Sequence, residues 1–287
     1  MKLSTVVTML IGNEWLKKFT QLIRRVSDMA RIIPPTRFPD SVAVSYSRSI
    51  NKLISELGKI TLSVYDEQIT PQIKLQKSRD DNSLYKLDAP LDVIQRAVDV
   101  IKGLSLGIFN SSVVQETASK FVNSLNLFNK NNISNQGKVK GIDPTVSEPW
   151  LESFMKTSIS ENASYITNIK DGYLANIESI IYQGVKNGSS AKKVRDQLVE
   201  RVGMSRKRAE FIAVDQTGSI LGQMTAKRHK QMGVSKFKWL TSNDEKVRKT
   251  HRDLSNKVFS YADPPSVGLP GEDYRCRCVA IPVFDEE

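Results

Sequence analysis

The sequence is poor in the residues that usually carry redox or metal chemistry, since its 287 residues include two cysteines and two histidines. The cysteines, Cys276 and Cys278, are separated by one residue, and a ring closed through such a pair is too tight for relaxed disulfide geometry. A disulfide framework is excluded, and the expectation is a chain made in a reducing cytosol. No run reaches the roughly 18 apolar residues of a spanning helix, and the apolar stretch 3–11 has no small-residue cleavage site behind it. Neither a membrane segment nor a signal peptide is expected. Internal repeats and low-complexity tracts are lacking too.

What is present is a folding composition with an uneven charge. Hydrophobic residues make up 39% of the chain, enough for one large core or two smaller ones. Lysine and arginine number 42 against 31 acidic residues, a net charge of +11. Residues 186–257 hold eighteen basic and seven acidic side chains, whereas the rest of the chain holds twenty-four of each. The whole excess lies in one stretch. Confinement of that kind points to a polyanionic partner, of which nucleic acid is the usual one.

Helical periodicity dominates the first 230 residues. Trp15, Phe19, Leu22, Ile23, Val26 and Met29 share one face of an amphipathic helix that Pro34 and Pro35 end. Its readings are a docking helix for another protein surface or a helix packed on the chain's own core. A second helix carries Tyr46, Ile50, Leu53, Ile54, Leu57, Ile60 and Val64 as far as Pro71. A third opens at Asp88 with Pro90 in its first turn, and Ser112 to Gln115 offers a capping box for a fourth that ends near Phe128. Residues 129–149 have no apolar period and are rich in Asn, Gly, Lys and Pro. Beyond them a helix over 150–185 is expected to break at Asp171-Gly172, Ser190 to cap a further helix, and Ser205 to cap a basic helix ended by Gly233. Residues 236–239 and 278–283 read as short strands around a helical turn at 245–254 and a Pro/Gly loop at 263–271. For so small a unit to have a core its ends must meet, which brings His251 near both cysteines.

The most specific residues lie in that unit: Trp239, Thr241, Ser242, Asp244, Glu245, Val247, Arg248, His251 and Leu254, then Pro270-Gly271, then Cys276-Arg277-Cys278. This block resembles the C-terminal domain of the phage Mu F-like head morphogenesis proteins. The resemblance continues upstream through Arg208-Ala209, Ile212-Ala213 and Asp215-Gln216, with Val214 where the family has arginine. Asn256 stands two residues past Leu254, where the family favours glycine, and asparagine is the residue that best tolerates the same left-handed backbone. The resemblance covers roughly the last hundred residues. It implies a phage minor head protein that enters the procapsid near the portal, assists head morphogenesis and handles DNA, with the virion as its place and the host cytoplasm as its site of assembly. Some members carry a toxin or transferase module after the Cys-Arg-Cys motif, and none is expected here. The implied partners are the portal protein and the capsid or scaffold proteins.

The fold expected is mainly α: a long helical N-terminal region and a helical C-terminal domain ending in a small α+β unit. Residues 1–39 are the docking helix, 40–130 a long helical hairpin and 131–149 a linker. Residues 150–287 are the Mu F-like domain, helical over 150–233 and α+β over 234–287. Lys192, Lys193, Arg206, Lys207, Arg208, Lys227, Arg228 and Lys230 are the candidate contacts to double-stranded DNA. No base-reading motif accompanies them, so that binding is non-specific. Asp244 and Arg248, four apart on a helical turn, are expected to form an ion pair.

Two chemical readings of the terminal unit compete. His251, Cys276 and Cys278 have the donor chemistry of a structural zinc site, with Asp244, Asp253 or Asp273 as candidate fourth ligands although a carboxylate is unusual in a closed site, and the alternative, a chain without cofactors, leaves reduced thiols packed against a hydrogen-bonded histidine. Asp244, Glu245, His251 and Asp253 beside a basic helix raise a metal-dependent nuclease as the rival to a non-enzymatic head protein. A Cys/His nucleophile is set aside, because no Gly-rich oxyanion turn or third orienting residue accompanies it.

Overall fold

The computed structural model describes residues 17–21, 33–78 and 88–284. Among them run helices α1 (Asp40–Val64), α2 (Thr70–Ser78), α3 (Asp88–Ile108), α4 (Ser111–Gly137), α5 (Leu151–Lys186) and α6 (Ala191–Gln231). A terminal unit follows, made of β1 (Lys236–Leu240), α7 (Lys249–Leu254), β2 (Val258–Ser260) and β3 (Val279–Val283). The class is the expected one, mainly α with a small α+β end. Of the docking helix only residues 17–21 are described, and they are helical; the rest of it lies outside the described residues.

Helix α6 is the axis of the molecule. Its 41 residues span about 60 Å at 1.5 Å per residue, and α1, α4 and α5 all pack along it. Val194, Leu198, Ala209, Ile212, Ala213, Ile220 and Met224 form its inner face. They join Ile50, Ile54 and Leu57 of α1, Val122 and Leu125 of α4, and Ile166, Tyr173, Ile177 and Ile181 of α5 in one apolar core. Helices before and after residues 141–150 therefore share that core. A buried polar link crosses it, in which Tyr46 Oη donates to Asn162 Oδ1 at 3.1 Å and Asn162 Nδ2 donates to Gln216 Oε1 at 3.2 Å. No single described helix is long and apolar enough to cross a membrane.

Several helix limits differ from those the sequence suggests. α5 runs unbroken through Asp171-Gly172, where a glycine costs about 1 kcal/mol and the packing of thirty-six residues outweighs it. α6 likewise passes through Ser205, which is buried inside the helix and caps nothing. α4 is capped by Asn110, whose side chain accepts from Val113 N at 2.9 Å, and not by Ser112. It continues to Gly137, so the first part of the expected linker is helix, with Ile133 in its buried face. Pro71 does not end the second helix. A π turn at Tyr65–Ile69 absorbs the break, and Pro71 sits in the first turn of α2, where its missing N–H is tolerated.

The sheet has the order β2-β1-β3, both pairs antiparallel, with Phe237 opposite Phe259 and Trp239 opposite Ala280. The period-2 alternation of β1 buries Phe237 and Trp239 completely. These two rings, with Cys276, Cys278 and Ala280, are the small core of the terminal unit.

Candidate functional site

Within four consecutive residues of α6, Asp215 and Gly218 receive the terminal unit while Gln216 and Thr217 serve the helical core. Asp215 Oδ1 accepts from the backbone N–H of Arg275 at 2.8 Å, fixing the loop before the Cys-Arg-Cys motif. Gln216 is the far end of the buried polar link. Thr217 is fully buried and returns its hydroxyl to Ala213 O at 2.7 Å. Gly218 lets the loop approach: a Cβ there would stand 2.3 Å from Cys276 O. One turn on, a Cβ at Gly222 would stand 2.3 Å from Pro270 O. Gly271 completes the fit, with φ of 98° and its own Cα edge against Gly218 O. The Pro-Gly and Cys-Arg-Cys motifs thus lie directly on the Asp215–Gly218 segment, and only backbone without side chains can come so close.

Inside that contact the chain gathers its sulfur and one imidazole. Cys276 Sγ lies 3.5 Å and Cys278 Sγ 3.6 Å from the same atom, His251 Nδ1. The opposite nitrogen, Nε2, faces Asp273 Oδ2 at 3.1 Å, and Arg248 holds that carboxylate at 3.0 Å while donating to Tyr274 O. Trp239 packs edge-on against the imidazole with centroids 5.4 Å apart. A hydrogen bond from the Cys278 thiol pulls the Cys276 thiol down to about 6, and as the donor of that bond Cys278 is pushed up. All three side chains are at least 95% buried. The expected meeting of His251 with both cysteines is therefore present.

The acidic residues do not join them. Residues 244–247 form a turn in which Asp244 Oδ1 accepts from Lys246 N at 3.0 Å, and α7 begins only at Lys249. Asp244 pairs with Arg277 and Arg248 with Asp273, so the expected Asp244–Arg248 pair is not made. Burial alone would raise the Asp244 carboxyl, but the Arg277 and Lys246 hydrogen bonds outweigh it and hold the group below its ordinary value. Among the described residues, no carboxylate forms a metal-holding group with His251. The remaining motif residues are architectural: Leu254 packs on the small core, and Asn256, at φ of 63°, donates its N–H to Trp239 O at 2.8 Å.

Residues 175–281, which include this whole assembly, match the family described as Phage Mu protein F like protein. The chain carries a Mu F-like domain. An uncharacterized protein of Haemophilus influenzae is 34% identical over 158 residues, 54% of this chain and 35% of its own length. An Enterococcus faecalis protein named NAD(+)--arginine ADP-ribosyltransferase EFV is 29% identical over 159 residues, 50% of this chain and 33% of its own. An uncharacterized protein of Methanocaldococcus jannaschii is 28% identical over 135 residues, 44% of this chain and 20% of its own. The chain thus spans about a third or less of the length of these relatives. No solved structure matches it.

Within the Mu F-like domain the candidate DNA contacts separate. Lys192, Lys193, Arg206, Lys207 and Arg208 are exposed along the first half of α6, with Arg206 also donating to Ser55 Oγ at 2.8 Å and Arg208 lying over the Phe211 ring. Lys227 and Lys230 are exposed too, roughly 30 Å farther along the helix axis than Arg206 to Arg208. Lys227 lies over Trp150, 5.3 Å from its centroid. Arg228 is a correction. It is fully buried, forks onto Glu148 at 2.7 and 3.0 Å, and donates to Asn129 and Asn126, so four of its five N–H donors are taken inside the fold and none faces solvent. Asn126, Asn129 and Glu148 were invisible as partners because they lie about a hundred residues away in sequence.

Proposed function

We propose that this chain is a non-enzymatic minor head protein of a phage, entering the procapsid near the portal, assisting head assembly and contacting double-stranded DNA without sequence preference. The observation that carries this reading is where the Mu F-like motif residues point. Trp239, His251, Cys276 and Cys278 face inward, and Asp215, Gly218, Pro270 and Gly271 are used in docking loop on helix. Reacting groups must be reachable by substrate, and these serve architecture instead. Against the nuclease alternative stand the turn of His251 onto sulfur and the pairing of Asp244 with Arg277.

DNA contact rests on the charge excess of residues 186–257 and on the exposed side chains Lys192, Lys193, Arg206, Lys207 and Arg208. Phosphate neutralisation of that kind is independent of sequence and falls with salt. Portal, capsid and scaffold proteins are the partners proposed from the family, with the host cytoplasm as the place of assembly. Gradient-purified phage heads analysed by mass spectrometry test the reading: the chain is expected in them at low copy, and deletion of its gene is expected to leave defective heads. Normal, infectious heads lacking the chain would overturn it, as would plasmid cleavage by the purified protein with magnesium, manganese or zinc that disappears in His251→Ala.

A further inference from the structure

We infer that His251 Nδ1, Cys276 Sγ and Cys278 Sγ form a zinc site that locks the terminal unit onto α6. The donors come from α7 and from the residues just before β3, and all three lie within 4.8 Å of one another. Tetrahedral zinc with Zn–S of about 2.3 Å and Zn–N of about 2.0 Å sets an S···N edge of about 3.5 Å. The two edges here are 3.5 and 3.6 Å. Thiol chemistry alone accounts poorly for this arrangement. An imidazole nitrogen offers a single lone pair or a single proton in the ring plane, so it serves one sulfur well and not two. A cation between the three atoms serves all of them at once.

The surroundings are those of a ligand set. Asp273 accepts at 3.1 Å from His251 Nε2, which puts the proton on that nitrogen and turns the Nδ1 lone pair toward the sulfurs. Arg248 in turn fixes the carboxylate. Two sulfurs with an imidazole select zinc over magnesium or calcium. Among the described residues no fourth His, Cys, Asp or Glu joins the group. The small core of this unit has two large buried rings, Phe237 and Trp239, and a metal cross-link between α7 and the β3 approach adds what so few apolar residues cannot supply.

The test uses the full chain, produced in zinc-supplemented medium and purified without chelator or metal-affinity resin. Elemental analysis is expected to find one zinc per chain, and exchange for cobalt to give tetrahedral d–d bands with thiolate-to-cobalt charge transfer. Cys276→Ser and Cys278→Ser are each expected to lower metal content and weaken the charge transfer. Should those variants fail to fold, Asp273→Asn keeps all three donors and is expected to lower zinc affinity in chelator competition by about 10- to 100-fold. Wild-type protein with no stoichiometric metal, no charge-transfer band and thiols that alkylate equally fast with and without added zinc would overturn the inference.

Discussion

Replacing Gly218 by alanine isolates the contact between α6 and the Cys-Arg-Cys loop. The new Cβ would stand 2.3 Å from Cys276 O and 3.3 Å from Gly271 O. Carbon and carbonyl oxygen ordinarily approach to about 3.3 Å, so loop or helix must yield by about 1 Å. Both obstructing atoms are backbone, and no rotamer change relieves them. Overpacking of this kind costs about 1–3 kcal/mol, set against about 1 kcal/mol gained from alanine's helix propensity. Gly172→Ala is the control, because a Cβ there meets nothing within 4 Å and collects the propensity gain alone. The difference between the two variants is therefore the cost of the contact, about 1–3 kcal/mol. Urea denaturation of the full chain measures it, and limited proteolysis of the 263–276 loop shows whether the loop has lifted. Equal stability of the two variants, with the loop equally protected, would refute close docking of the loop on α6.

Arg228→Ala leaves Glu148 buried without its partner and is expected to cost about 3–5 kcal/mol while leaving the salt dependence of DNA binding unchanged. Arg206, Lys207 and Arg208 changed together to alanine are expected to flatten that salt slope with little loss of fold, checked by fluorescence anisotropy over a salt series; an unchanged slope means the cluster does not touch phosphate. His229, buried and facing Tyr261 at 2.6 Å, has its imidazolium disfavoured by burial, with the pKa lowered to about 3. A depressed folded-state value means that this stabilisation is complete above about 6.5 and is lost as pH falls toward about 3, at about 1.4 kcal/mol per pH unit. Denaturation curves between those limits are expected to be flatter for His229→Gln than for wild type, and parallel curves would show that the group is not kept neutral.

The terminal unit was legible because its signals are local and dense. Strand alternation around Phe237 and Trp239, the turn residues after Leu254 and the spacing of His251 from Cys276 led to a closed unit with the three side chains together. The helices were legible as faces but not as lengths. Gly172 and Ser205 carry real local penalties, yet tertiary burial along α5 and α6 exceeds them, and no sequence window contains that term. Charge was legible in amount and not in use. Arg228 looks like its neighbours Lys227 and Lys230, but Glu148 and two asparagines claim it from across the fold. Asp215, too, reveals its part only when the backbone of Arg275 is placed beside it.

The central claim is that this chain belongs to the head at the portal, and co-expression with the portal protein of the same phage tests it most directly. The account predicts that the full chain and the portal co-elute as a defined complex in size-exclusion chromatography at moderate salt and in the presence of nuclease, so that DNA cannot bridge them. A chain that elutes alone while the portal forms its normal ring, and that remains absent when capsid and scaffold are added and procapsids assemble, would contradict it.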